Sequence, residues 1–309
     1  GVLDSSIELA TTQKSNDSIQ LQINKLEWNS EVKKEILGDT FALWLDLETS
    51  TEKEFHIAEN QQYKINETLN TASAGKLSVI GQSNISSVLD ANNKAVFDLR
   101  KESALTLQNV QIVSAKSDSG SVIKAINPNS QITIDNGNFI GNIAASSGGV
   151  ISNSSTNNAN KINGIFTANM AGSSGGAIFN QGNIYSISGE FTSNHTTNSW
   201  ATGKVVCGAI ANKGGTINSI DADFNSNYSD QYGGAIANFV ENSASSEITS
   251  VVGNFNNNYI VVNNSEAFGG AVYNNGKIST INGNFIGNHI AQDNLDTVTA
   301  HGGAIYNTG

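Results

Sequence analysis

Two short motifs alternate along the C-terminal half of this chain, and that alternation limits the available folds more than any other feature. The first motif is Gly-Gly-Ala-Ile/Val followed by any residue and Asn. Full copies begin at Gly175 and Gly176, Gly233 and Gly234, Gly269 and Gly270, and Gly302 and Gly303; degenerate copies begin at Gly148 and at Cys207, where cysteine replaces the first glycine. The second motif is Phe-x-x-Asn. It pairs Phe139 with Asn142, Phe166 with Asn169, Phe191 with Asn194, Phe224 with Asn227, Phe255 with Asn258 and Phe285 with Asn288. Successive phenylalanines are 27, 25, 33, 31 and 30 residues apart. Self-similarity at such a period marks a solenoid or array. The units are rich in Gly, Asn, Ser, Thr and Ile and lack an apolar 3.6-residue period, which excludes helical repeats.

Each unit instead holds short strand-like pieces divided by Gly or Asn. One copy reads Ala271 to Asn274, Lys277 to Ile281 and Asn284 to Ile286. The expected fold is therefore all-β: a right-handed parallel β-helix (solenoid) with about three short strands per coil. Ile178, Ile210, Ile236, Val272 and Ile305 should form one inward ladder, and the six phenylalanines a second, of stacked rings. Gly pairs supply a corner that a Cβ would obstruct. The Phe-x-x-Asn asparagines, Asn142 through Asn288, should occupy a turn and bond to one another along the axis, satisfying backbone that would otherwise be buried unpaired. The next slot of the glycine motif holds Ser152, Phe179, Ala211, Ala237, Tyr273 and Tyr306, a mixture expected to face out. At about 4.8 Å per coil, roughly nine or ten coils give a rod on the order of 45 Å.

From Gly-Gly to the next Phe takes 18, 16, 17, 22 and 16 residues, whereas from Phe to the next Gly-Gly takes 9, 9, 16, 9, 14 and 17. The second interval varies more and its extra residues are polar. It should form loops at one corner of each coil, where solenoids usually bind. Asn198, Trp200, Asp293 and Asp296 fall in these loops and are the candidate binding residues; Trp200 is the one tryptophan within the repeats, a residue type suited to anchoring a partner or to packing back on the coil.

Three regions are expected. Residues 1–60 lack the motifs and form a cap or irregular leading segment. Residues 61–136 carry apolar sets that read as degenerate coils: Ala95, Phe97 and Leu99; Leu105, Leu107, Val110 and Ile112; Val122, Ile126, Ile132 and Ile134. Residues 137–309 form the repeat body, which stops inside a Gly-Gly-Ala-Ile motif and so is expected to be cut from a longer protein. Acidic residues number 27 against 16 basic ones, for a net charge of -11, and Arg100 is the one arginine. Nucleic acid and anionic lipid are therefore unsuitable partners. The single cysteine excludes a framework of intramolecular disulfides.

The alternation of Gly-Gly-Ala-Ile/Val with Phe-x-x-Asn resembles the repeat of the polymorphic outer membrane (Pmp-like) proteins, over roughly residues 137–309. The resemblance implies an autotransporter passenger displayed on a bacterial surface as an adhesin. Its partner would be a host or bacterial cell-surface protein or glycan, met through loops and one face of the helix. It would touch the membrane only through a C-terminal β-barrel, absent from this stretch. No cofactor is implied. A self-associating structural rod is the alternative.

A polysaccharide-degrading β-helix is the enzyme rival, and it needs clustered carboxylates. Asp221 and Asp223 share a strand face, with Asp230 close in sequence. Equivalent positions in other repeats hold Asn, Gly or Ile, so an outward solvated face is the plainer reading, and no catalytic residue is assigned. His195 and His289 each follow a motif Asn, in a slot filled elsewhere by Ile143, Met170, Tyr228 and Tyr259, so they read as one variable position rather than metal ligands. His56, His301 and Cys207 lack chemical companions at suggestive spacing. The Gly-Gly-x-Gly-x-Asp signature of calcium-binding rolls is missing, and no metal site is expected.

Overall fold

The computed structural model describes residues 52–65, 68–70, 75–197, 207–240, 245–261, 266–291 and 299–309. Within them the protein is a parallel β-solenoid built only of strands. Three sheets run along the rod. In sheet A the main path stacks nine strands, from Glu52–Ile57 to Lys277–Asn282; sheet B also stacks nine, from Leu69–Asn70 to Ile305–Asn307, and sheet C stacks seven, from Lys116–Ser119 to His289–Ala291. Every named strand pairing is parallel, one coil onto the next, as in Asn183–Thr192 on Thr216–Asn225. Nine stacked strands make a rod of roughly 38 Å between its first and last strands. The first described strand, Glu52–Ile57, already pairs with Gly75–Gly81, so coiling begins before residue 61; the rest of the expected leading segment lies outside the described residues.

One coil shows how the sequence makes its corners. The Gly-Gly-Ala-Ile motif enters sheet B at Ile178–Asn180. The first glycine of each pair adopts a left-handed backbone, with φ of 63, 48, 69 and 65° at Gly175, Gly233, Gly269 and Gly302. The second passes against the next coil: a Cβ on Gly176 would lie 2.2 Å from the Gly208 carbonyl oxygen. After Asn180 the chain turns into sheet A, Asn183–Thr192, which puts Ile184, Ile187 and Phe191 inside. The arch that follows holds the second x of Phe-x-x-Asn in the left-handed region at Gly141, Ala168, Ser193, Ser226, Asn257 and Gly287. Sheet C comes next, as His195–Thr196, before the chain returns to the following Gly pair.

The two inward ladders form as expected. Phe139, Phe166, Phe191, Phe224, Phe255 and Phe285 stack with centroids 4.9, 4.6, 5.2, 4.9 and 4.5 Å apart. Ile178, Ile210, Ile236 and Val272 are buried in the same core. Ile305 continues that ladder in register on Val272, but with no described coil above it the side chain is 39% exposed. Each ring pair of the Phe stack contributes about 0.5–1.5 kcal/mol beyond area burial.

The Phe-x-x-Asn asparagines form a continuous amide column. Asn142, Asn169, Asn194, Asn227 and Asn258 each donate Nδ2 to the Oδ1 of the next, at 2.9–3.0 Å, and the last of these bonds ends on Asn288. Each receiving Oδ1 also accepts a backbone N–H, as from Asn169 to Asn194, while the second Nδ2 proton meets a carbonyl such as that of Phe166. From Asn169 to Asn258 the hydrogen-bonding capacity of the buried amides is therefore filled. Asn288 differs from the other five. It takes the Asn258 backbone and side-chain donors and gives Nδ2 to the Phe255 carbonyl at 2.7 Å, but it is half-buried where they are fully buried. Among the described residues no further asparagine stacks on it, so Asn288 terminates the column as Ile305 terminates the ladder.

Three expectations need correction. Of the three strand pieces read in each repeat, the second and third both belong to sheet A, bent between them, while the sheet C strand at His289–Ala291 follows the motif residue Asn288 and is an addition to that reading. The bend uses a column unnoticed in the motif, two residues before Phe: Gly164, Gly189, Ala222, Gly253 and Gly283. A Cβ at Gly189 would sit 1.9 Å from the Gly164 carbonyl oxygen. In the degenerate coils Ile126 is 48% exposed, and Val96 and Ile123 are fully buried in its stead and in that of the half-buried Ala95. The third correction concerns the face beside the insertions.

Candidate functional site

Phe179, Ala211, Ala237 and Tyr273 point away from the main core, yet they are buried: their exposures are 8, 0, 0 and 7%. A second apolar layer covers them. It contains Cys207 and Tyr232, with Phe239, Phe268 and Tyr306 half-buried at its margin. The slot was expected to face solvent because its residues are mixed. The covering rings come from the corner between sheets C and B, so small residues such as Ala211 and Ala237 fit beneath large ones.

The corner residues form a stack of their own. Tyr232 lies on Phe268 at 5.4 Å and Phe268 on His301 at 5.0 Å, with planes within 8°. Strand pairing drives this, because Tyr232 bridges Phe268 and Glu266–Phe268 pairs with Thr299–His301. Tyr273 meets Tyr232 edge-on at 4.7 Å, and Tyr273 stacks over Tyr306 at 5.9 Å. Two columns of rings thus meet at an angle, with Phe239 closing one side. Burial raises the Tyr232 phenol pKa, with Glu266 reinforcing the shift; Tyr273 is raised by burial and by Tyr232.

A third ring column stands outside sheet C, on the other side of the same corner. His195 stacks on Tyr228 at 4.6 Å, Tyr228 on Tyr259 at 5.1 Å, and Tyr259 on His289 at 5.5 Å. The slot read as variable is therefore one column, and the histidines are separated by tyrosines. Burial lowers the His195 pKa, opposed by the Ser193 carbonyl and by Asp230. The described ends of the lengthened intervals lie at this corner. The intervals leave sheet C after the His195, Tyr259 and His289 positions and re-enter beside Cys207, Phe268 and His301. Asn198, Trp200, Asp293 and Asp296 belong to these intervals and lie outside the described residues.

The structure does not unite the three aspartates considered for catalysis. Asp221 and Asp223 are exposed on the outer face of sheet A. Asp223 accepts both the backbone N–H and the side-chain amide of Asn254 at 2.9 Å. Asp230 lies beyond the Phe-x-x-Asn arch, beside His195, because the arch redirects the chain into sheet C. Cys207 is fully buried at a corner with φ 71°, and burial raises its thiol pKa. Its Sγ lies 2.7 Å from the Ile210 carbonyl oxygen, so the thiol fills a glycine's place as a packed group. Among the described residues, no group of three His, Cys, Asp or Glu side chains is placed to hold a metal.

Sequence reasoning also missed a second amide column. Asn153, Asn180, Asn212, Asn238, Asn274 and Asn307 link Nδ2 to Oδ1 at 2.6–2.8 Å at the turn from sheet B to sheet A. The terminal Asn of the Gly-Gly-Ala-Ile-x-Asn motif was the available signal. In comparison with known proteins, no family model, no curated protein and no solved structure matches the chain.

Proposed function

We propose that this rod is a surface-displayed adhesin passenger of a bacterial autotransporter, binding host or neighbouring cells at the corner between sheets C and B. The observation that carries this reading is the coincidence of two features at one corner: ring columns on both sides, with Phe239, Phe268 and Tyr306 half-buried, and the described ends of every lengthened Phe-to-Gly-Gly interval. A scaffold that repeats its core and varies one edge most is suited to recognition, since loops on a rigid body carry binding. Half-buried Tyr and Phe are the residue types that anchor protein partners. The sequence resemblance supports bacterial surface display and adhesion as the setting.

The test is binding of the purified, labelled chain to cultured host cells and to bacterial cells. Saturable binding is expected, and Phe239→Ser with Phe268→Ser should weaken it about tenfold or more, since two anchor rings are lost. Both rings lie at the margin of the second apolar layer, so circular dichroism should show an intact β-solenoid. Absence of saturable binding to any cell type counts against the reading. Concentration-dependent dimerisation without cell binding supports the self-associating rod instead.

A further inference from the structure

Sheet A carries a surface of a different kind. On either side of each inward Phe, one residue points outward. Across successive coils these residues form two parallel rails: Glu190, Asp223, Asn254 and Asn284 on one side, and Thr192, Asn225 and Asn256 on the other. Hydrogen bonds fix their side chains along the axis. Asn254 donates to Asp223 and Asn284 to Asn254, both at 2.9 Å; Asn256 donates to Asn225 at 3.0 Å. Glu190 accepts from Thr192 and Asn225 and bridges the rails at one end.

Within a rail, rungs repeat at about 4.8 Å, and the rails stand two residues, roughly 6.5 Å, apart. That trough has the width of a pyranose ring, and its rungs repeat near the length of one sugar in an extended chain. A primary amide has two donors and two acceptor lone pairs. Asn254 uses one side-chain donor and one acceptor site within the rail, leaving one of each toward solvent. A sugar hydroxyl also donates and accepts, so it complements each rung. The side chains are already ordered, which lowers the entropy cost of binding. Exposed Ile286 and Val252 add apolar contact for the carbon face of a sugar.

Charge narrows the class. Glu190, Asp221 and Asp223 are exposed on this face. The one lysine in its strands over these coils, Lys277, is held by Glu247 at 2.6 Å. We propose that the outward face of sheet A binds a neutral, extended glycan lying along the rod axis between the two rails. This deepens the adhesion reading and rests on it only in assuming that the rod meets a cell surface. The glycan face is separate from the corner between sheets C and B.

The test uses the whole chain on an array of neutral, sialylated and sulfated oligosaccharides, beside a Lys-rich peptide. Asn225→Ala with Asn256→Ala is the companion variant, with circular dichroism and thermal melting to verify its fold. Binding to neutral extended oligosaccharides is expected, rising with length to about four sugars, and the variant should bind about tenfold more weakly or worse. The proposal is overturned by no binding to neutral glycans, by preference for sulfated glycans or the peptide, or by unchanged binding in the folded variant. If the variant is unfolded, Asn254→Ala alone decides on the same criteria. Failure here with cell binding intact leaves the corner adhesin reading standing.

Discussion

The coils before Phe139 and those after it share one backbone course but fill it differently. One column runs through Tyr63, Leu89, Ile112 and Phe139 in continuous register, aliphatic over two coils and aromatic from Phe139 onward. Both amide columns begin at the same level. Ala115 precedes Asn142, donating its N–H to the Asn142 Oδ1, and Ala125 precedes Asn153 in sheet B. Inward aliphatic residues such as Leu105, Leu107, Ile132 and Ile134 therefore suffice to set the coil. The stacked rings and amides are a second system that locks each later coil to its neighbours.

Breaking an amide column should have the largest effect. Asn194→Ala removes the acceptor of the Asn169 backbone and side-chain donors, and takes one of the donors from the Phe166 carbonyl and from the Asn227 Oδ1, which keeps the residue-194 backbone N–H. With about 1–3 kcal/mol for each of the two orphaned Asn169 donors, the loss should be about 4 kcal/mol, read from urea unfolding. Ala115→Gly, in the equivalent slot of the earlier coil, should cost only about 1 kcal/mol. Comparable losses at the two sites would erase the distinction between regions.

The rings give a finer contrast. A double-mutant cycle between Phe166 and Phe191, whose rings lie 4.6 Å apart in parallel planes, should give a coupling of about 1 kcal/mol. The same cycle between Leu89 and Ile112 should give less, because aliphatic pairs lack the ring–ring contribution.

Acid should act on the later coils through His195. Burial lowers the His195 pKa below the 6.5 of the unfolded chain, so below that pH the unfolded state binds more protons. Stability from this site is complete above pH 6.5 and declines as pH falls through and below it. Thermal melts between pH 7 and pH 5 should show a smaller decline in His195→Gln than in the parent chain.

The smallest effect is at the arch. Ala168 is exposed with φ 52°, where glycine is favoured. Ala168→Gly should raise stability by up to about 1 kcal/mol, measurable as a higher urea midpoint.

This contrast also explains what the sequence reveals. Parallel coiling, the Phe stack and the Phe-x-x-Asn column were legible because each rests on a residue type that recurs at one place in the coil. The weaker burial of Asn288 was not legible, because its motif is as complete as the others and only its place in the stack differs. The earlier coils were harder to place, since any aliphatic residue fills Leu89 or Ile112. Ile126 was misassigned because the inward positions there are Ile123 and Ala125. The covered outer slot was illegible for another reason: Tyr273 is covered by Phe268 of its own coil and by Tyr232 of the coil before, and Ala211 shares that layer with residues far from it in sequence. Asp230 was grouped with Asp221 by proximity along the chain, which the arch at Asn227 undoes.

The most direct test of the two-system rod is residue-level hydrogen–deuterium exchange along its length. The expected result is slowest exchange in the coils from Phe139 to Asn258, where rings and both amide columns are continuous, and faster exchange from Leu77 to Ile112. Equal protection throughout, or slower exchange in the earlier coils, would contradict it.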